Sequence, residues 1–378
     1  MMKVTMVSNF YNTHQHTIAT HLYKKLGSDY TFVETTDMSI EQKNLGYTSF
    51  DLPYIKKTFG AQEMDALNAI ESADILISGG YTDFARDRIM KGKPTFIFSE
   101  RIFVDHTLPL YKPSRFFDYK DRIQHFNESE NIYFLCASSY LSYDLTRIGF
   151  EHKNMLKFGY FPPFEMEEFK TRTNNVTKIL WCGRMIDWKQ GQHIILMANK
   201  LRELGLDFSI DMIGNGDMKM KYRKLIDRFK LNSIVRLCPP IKQKDMPYTM
   251  KRHDIFIQPS NYKEGWGAVV NEAMSCGCAV VASSGVGSSN YLIDDQVSGY
   301  IYKNGDIDSL AKIVENLVSD RALCANIGKA AQNRIQTLWN GEIAAARLLR
   351  IFEDVSNKKP ISYEEDGPCS FAKVFKNI

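Results

Sequence analysis

The sequence lacks several features, and each absence removes a class of protein. No apolar run approaches the roughly 20 residues that a helix needs to cross a bilayer, so no membrane-spanning helix is expected. The seven cysteines include no C-x-x-C pair, and Cys136, Cys182 and Cys238 fall in apolar strand-like runs. That pattern suits buried thiols rather than disulfides or structural zinc. The opening MMKVTMVSNF reads as a strand, without the charged and apolar regions of a signal peptide, which gives a cytoplasmic expectation. Neither a dense basic cluster nor a Walker loop is present. The net charge is only +4, slightly acidic over the first 165 residues and basic over the rest. That balance argues against nucleic acid as a partner and suits a second half that receives a small anion.

The composition is that of a globular protein, 44% hydrophobic and 24% charged, and 378 residues suffice for two domains with separate cores. Short apolar runs alternate with amphipathic segments, the pattern of an α/β protein with parallel sheets. Strands are expected at 3–8, 30–34, 74–78, 94–98 and 132–138, with helices over 15–26 and 61–73. The alternation restarts at 177–184, then 208–214, 233–238, 254–260 and 279–283. Between the two series lies FPPF, 161–164, whose consecutive prolines continue neither element and mark the domain boundary. The expected organisation is therefore two Rossmann-like domains, 1–163 and 164–340. A helix over 341–355 packs back towards the first, and a poorly ordered tail with a short final helix covers 356–378. In doubly wound sheets ligands bind at the carboxyl ends of strands, so chemistry is sought there.

Three constellations follow strands. GRMIDWKQG, 183–191, places Arg184 at a strand end and Lys189 five residues on. A planar guanidinium and a movable ammonium together match a diphosphate, although two cations on an exposed loop are also ordinary. SNYKEGWGAVVNE, 260–272, carries Glu264, then Gly265, Trp266 and Gly267 at the entry to a helix expected near 267, then Glu272 within it. The glycines permit close backbone approach, and carboxylates accept sugar hydroxyls; solvated glutamates are the plainer reading of the pair alone. SNFYNTHQHTIAT, 8–20, leads into a helix and carries His14 and His16. With His21 these invite a metal, but the spacing does not put them on one helix face; a polar loop or cleft lining, with His14 and His16 as candidates to position acceptor or donor, is the better reading.

Taken in order, WCGRMIDWKQG, HDIFIQPS, EGWGAVVNEAMSCGCAVVAS and SGYIYKNGDIDSLAKIVENLVSD resemble the C-terminal domain of retaining, family 4 type glycosyltransferases of the GT-B fold, group 1 of the glycosyl transferases. The resemblance spans 177–320 and continues more weakly to either side. It implies two Rossmann-like domains facing across a cleft, with donor held mostly by the second and acceptor by the first. It implies that Gly183, Arg184, Lys189 and the backbone of 265–267 bind the donor diphosphate, that Glu264 touches the donor sugar, and that Glu272 holds the ribose; Arg184, Lys189 and Glu264 are the catalytic candidates. No metal and no cofactor are implied. The expected partners are a UDP- or GDP-linked sugar and a glycan or lipid-linked acceptor, in cell-surface polysaccharide synthesis.

The chain departs from that family in places. Where many relatives carry a histidine after the strand KPTFIF, this sequence has Glu100, then Arg101, with His106 close behind. Glu100 either orients a substrate hydroxyl or pairs with Arg101, and His106 is a candidate to compensate. The first loop reads NTHQHT rather than Gly-Gly, and GVGSSN, 285–290, lacks the glutamate usual nearby. Asp306 and Asp308 imitate a metal-binding D-x-D but fit a helix N-cap and a first-turn charge better. The aromatic and basic stretch 108–126 reads either as a partly buried helix or as a peripheral contact with the inner face of a membrane. Two rival functions keep the fold: a sugar-nucleotide epimerase, and a non-catalytic nucleotide-sugar-binding subunit, against which the joint presence of Arg184, Lys189, Glu264 and Glu272 argues.

Overall fold

The structure, a computed structural model, describes residues 2–39, 49–103, 129–150, 154–173 and 176–375. Its backbone divides into two compact units, residues 1–163 with 339–377, and residues 164–338. Unit 1 is built on strands β1 (Val4–Ser8), β2 (Tyr30–Glu34), β3 (Ile55–Lys57), β4 (Ile75–Gly79), β5 (Thr95–Ser99), β6 (Ile132–Cys136) and β7 (Met155–Lys157). They pair in parallel in the order β3-β2-β1-β4-β5-β6-β7. Helices α1 (Thr13–Leu26), α2 (Glu63–Ser72), α3 (Asp83–Met90) and α4 (Leu141–Arg147) connect them. β1 and β6 are buried along their whole length, which is why they read as continuous apolar runs rather than alternating ones.

Unit 2 repeats the scheme with β8 (Thr177–Cys182), β9 (Phe208–Ile213), β10 (Val235–Cys238), β11 (Ile255–Gln258), β12 (Ala279–Ser283) and β13 (Tyr300–Tyr302), all parallel in the order β10-β9-β8-β11-β12-β13. Its helices are α5 (Gln192–Glu203), α6 (Lys219–Arg228), α7 (Met246–Met250), α8 (Val269–Ser275), α9 (Ser289–Leu292), α10 (Ile307–Ser319) and α11 (Arg321–Thr337). Ile179, Trp181, Ile210, Met212, Ile255 and Ile257 of the central strands meet Ile194, Leu201, Leu310 and Leu317 of the helices in one core. Asp306 is the N-cap of α10, its side chain accepting from Ser309 N at 2.9 Å, and Asp308 pairs with Lys200 at 2.8 Å. The D-x-D resemblance is thus a cap and a first-turn charge. Asp306→Ala should cost about 1 kcal/mol, read as a lower denaturation midpoint with no change in ligand binding.

After unit 2 the chain returns to unit 1 as α12 (Gly341–Ser356), which packs on α1 so closely that a Cβ on Gly341 would stand 2.5 Å from Thr17. The segment beyond it corrects the expectation of a poorly ordered tail. Lys157 N donates to Ser370 O at 2.7 Å, Cys369 N to Lys157 O at 2.7 Å and Ala372 N to Met155 O at 3.0 Å. These bonds satisfy the open edge of β7 and bury Cys369 and Ala372 completely. A sheet edge left unpaired is a liability, and here the tail covers it. No short final helix forms among the described tail residues.

Candidate functional site

In unit 2 the strand order reverses direction between β8 and β11: β9 and β10 lie to one side, β12 and β13 to the other. The loops that leave β8 and β11 at their carboxyl ends therefore diverge and open a crevice at the topological switch point. Arg184 and Lys189 stand on the first loop, Glu264 on the second. They are drawn together by a direct ion pair, Lys189 Nζ to Glu264 Oε2 at 2.5 Å, with both side chains largely buried. Gln258, the last residue of β11, donates to the same oxygen at 3.2 Å and to Ser260 Oγ at 3.2 Å. Asn261 N donates to Trp188 O at 3.0 Å, so backbone as well as side chains ties the two loops. Asn304 adds a third tie, its amide donating to Gln190 Oε1 and to Ser283 Oγ, each at 2.8 Å.

The β8 loop is further fixed from the side of β9. Gly214 has φ +151° and lies so close to the loop that a Cβ would fall 1.9 Å from Gly183 O. Met185 N donates to Asn215 O at 2.7 Å. Only glycine lets the two backbones approach in this way. Against that floor Arg184 projects into solvent, its guanidinium 5.8 Å from the Trp188 ring centroid, with no ion-pair partner among the described residues. Lys189 Nζ lies 4.6 Å over the same ring.

On the β11 loop the N–H groups of Gly265 and Gly267 find no acceptor among the described residues. Gly267, at φ +84°, is pressed against Val286, where a Cβ would meet Cγ1 at 2.9 Å. The following helix α8 begins at Val269, two residues later than expected, and carries Glu272 in its first turn. No described group donates to the Glu272 carboxylate, which is only partly exposed, and burial pushes its pKa up to about 7. Among the described residues the Arg184 guanidinium, the N–H groups of Gly265 and Gly267 and the Glu272 carboxylate thus stand without an ion-pair or hydrogen-bond partner on the segments that follow β8 and β11. A ligand with an anionic centre and vicinal hydroxyls supplies what each of them lacks.

Residues 164–334 match the family described as Glycosyl transferases group 1. Unit 2 is a glycosyl transferases group 1 domain. Among curated relatives, the group 1 sequence is 28% identical over 54% of the chain to the amylovoran biosynthesis glycosyltransferase AmsK of Erwinia amylovora, covering 51% of that protein. It is 24% identical over 47% of the chain to a GDP-mannose-dependent phosphatidylinositol monomannoside mannosyltransferase of Corynebacterium glutamicum, covering 48% of it. The chain thus spans about half the length of the curated relatives it matches. Among solved structures, Anabaena HepE in complex with UDP shares 15% identity at a TM-score of 0.69, over 94% of this chain and all of that one. The fold common to both is GT-B, the α/β class of two doubly wound parallel sheets expected from the sequence.

Within the group 1 domain Gly183, Arg184 and Lys189 stand on the β8 loop, Glu264, Gly265 and Gly267 on the β11 loop, and Glu272 in the first turn of α8, with Lys189 and Glu264 in direct contact. The Trp266 indole is 1% exposed and donates to Asn271 Oδ1 at 2.9 Å, so its side chain packs beneath the loop and only its backbone stands on the site's side. Glu100, His14 and His16 belong to unit 1, at the carboxyl ends of β5 and β1. His16 takes Tyr11 OH at 3.1 Å and stacks on Phe50, and His14 lies beside Tyr160; burial lowers the pKa of both imidazoles. Arg101 turns inward to a buried carboxylate, Asp144, at 3.2 Å. Ile102 N and Phe103 N donate to that same Asp144, so the ion pair anchors the loop that Glu100 begins. His106 and the stretch 108–126 lie outside the described residues. Among the described residues no three His, Cys, Asp or Glu side chains group as a metal site, and no helix is long and apolar enough to cross a membrane. Cavities of 340 and 550 Å³ in this unit lie elsewhere, around the 166–172 segment and α11, and are lined by none of the candidate site residues.

Gly214, Asn215, Gln258 and Asn304 were not among the residues singled out from sequence. The only available signal was G-N-G directly after a strand, which reads as an ordinary turn until β9 is known to neighbour β8.

Proposed function

We propose that the chain is a retaining, metal-independent glycosyltransferase that moves a sugar from a UDP- or GDP-linked donor to a hydroxyl of a glycan or lipid-linked acceptor, in the synthesis of cell-surface polysaccharide. The observation that carries this reading is the Lys189–Glu264 pair at the β8/β11 switch point, flanked by the unpaired Arg184 guanidinium. Arg184 and Lys189 neutralise the diphosphate, the N–H groups of Gly265 and Gly267 bind its oxygens, Glu264 accepts hydroxyls of the sugar, and Glu272 accepts the vicinal hydroxyls of the ribose. The bond from the anomeric carbon to the diphosphate breaks as the acceptor oxygen bonds to that carbon from the same face. The acceptor proton passes to the departing diphosphate. Positive charge fixed where the diphosphate departs lowers the barrier to an oxocarbenium-like transition state, and no protein nucleophile and no cofactor are required.

The names of the relatives support the class of substrate: one acts in amylovoran biosynthesis, another is GDP-mannose-dependent, and HepE is bound to UDP. Thermal denaturation with UDP, GDP, ADP and CMP tests the donor site. One nucleoside diphosphate at about 100 times its Kd should stabilise the protein by about 2.7 kcal/mol, and CMP should not. Stabilisation by none of them would remove the reading. Turnover of UDP-glucose or GDP-mannose with an acceptor should persist in EDTA, and the product's anomeric configuration, read by NMR, should match the donor's.

A further inference from the structure

The sugar-contacting carboxylate of the proposed reaction has two oxygens in unequal surroundings. Oε2 of Glu264 receives Lys189 Nζ at 2.5 Å and Gln258 Nε2 at 3.2 Å. Oε1 receives no hydrogen bond among the described residues. Gln258 is 1% exposed, and its amide nitrogen is fully committed, one hydrogen to Glu264 and the other to Ser260 Oγ at 3.2 Å. Its own carbonyl, Oε1, is buried and has no partner among the described residues. A buried amide acceptor left unpaired costs about 1–3 kcal/mol, which an apolar residue of similar shape at the end of β11 would avoid. The neighbouring positions of that strand, Ile255, Phe256 and Ile257, are apolar and fully buried. Polarity at 258 therefore works against packing, and what it supplies is a hydrogen bond to Glu264, steadied by one to Ser260.

We infer that Gln258 is a positioning residue: it fixes Glu264 with Oε2 turned to the Lys189 side, so that Oε1 is presented to the donor's sugar hydroxyls, and thereby sets the preference for a sugar nucleotide over the bare nucleotide. The inference rests on the glycosyl-transfer reading. Lys189 alone cannot hold this orientation, because an ammonium on a flexible stem is a point charge that follows either oxygen. The planar amide of Gln258, held by Ser260 on its other side, has one direction available.

The test compares the wild-type protein with Gln258→Leu and Gln258→Glu by calorimetric titration of two ligand pairs, UDP with UDP-glucose and GDP with GDP-mannose. For the pair that the wild-type protein binds, Gln258→Leu should leave the affinity for the nucleoside diphosphate within about twofold and weaken that for the sugar nucleotide about tenfold, the loss of one hydrogen bond to a charged group. The melting temperature without ligand should stay level or rise. Gln258→Glu sets a second carboxylate against Glu264 and should weaken the sugar nucleotide further. If Gln258→Leu weakens both members of the pair equally, or lowers the melting temperature, Gln258 is a packing residue and the inference falls while the glycosyl-transfer reading stands. If neither affinity changes, the inference falls in the same way. If the wild-type protein binds no member of either pair, the reading beneath it has failed.

Discussion

Lys189→Ala should lower kcat/KM for the sugar nucleotide by roughly 10²–10³-fold, and Arg184→Ala by a similar factor, but the two variants should differ in stability. Removing one preorganised group from a developing anion costs about 2.7–4 kcal/mol of activation free energy. The Arg184 side chain is exposed, makes no ion pair among the described residues and touches only the Trp188 ring, a contact worth little at an exposed site. Its melting temperature without ligand should be that of the wild type, and only the stabilisation by nucleoside diphosphate should vanish. Lys189 is different because its ammonium is the counter-charge of Glu264, whose side chain is 10% exposed. Removing one partner of a largely buried pair strands the other, and the folded state loses stability. Adding Glu264→Gln to Lys189→Ala should restore the melting temperature without restoring turnover. A Lys189→Ala protein of normal stability would show that the ion pair is not formed in solution. A fully active one would show that the diphosphate lies elsewhere.

That contrast also shows what could be read from the residues alone. The long apolar strands and the boundary at FPPF are legible because burial on both faces writes a continuous run and prolines interrupt it. Strands β3, β7 and β13, three residues each, are not, since so short a segment carries no period. Arg184, Lys189, Glu264 and Glu272 can be picked out as a series, because each follows a strand at the carboxyl end. The pairing of Lys189 with Glu264 cannot, since 75 residues separate them and only the order β8-β11 makes their loops neighbours. Gln258 is hidden for a related reason. Within IFIQPS it looks like the ragged end of a strand, and its meaning appears only when its amide is found against a carboxylate six residues on.

Glu272 should give the protein two pH dependences of opposite sign. Burial raises its folded-state pKa to about 7, whereas in the unfolded chain it titrates in the ordinary carboxylate range near 4.3. Between those values the folded state holds a proton that the unfolded state has released. The stability contributed by neutral Glu272 is therefore complete at acid pH and is lost as pH rises through about 7. Ligand affinity should run the other way. Ribose hydroxyls donate to a carboxylate and favour its ionised form, so nucleotide binding expels the proton, and affinity should rise roughly tenfold from pH 6 to pH 8. Glu272→Gln should remove both slopes at once. At pH 8 it should also weaken the nucleotide by roughly 10–100-fold, since a neutral amide replaces a charged acceptor facing two hydroxyls. Denaturation midpoints and titrations across pH 5.5–8.5, on wild type and Glu272→Gln, give the check. If stability falls with pH but affinity does not rise, Glu272 is a buried acid that never meets the ligand, and the ribose must be held by another group. If the affinity slope survives in Glu272→Gln, the titrating group is elsewhere, and the bound nucleotide's own phosphate becomes the first to examine.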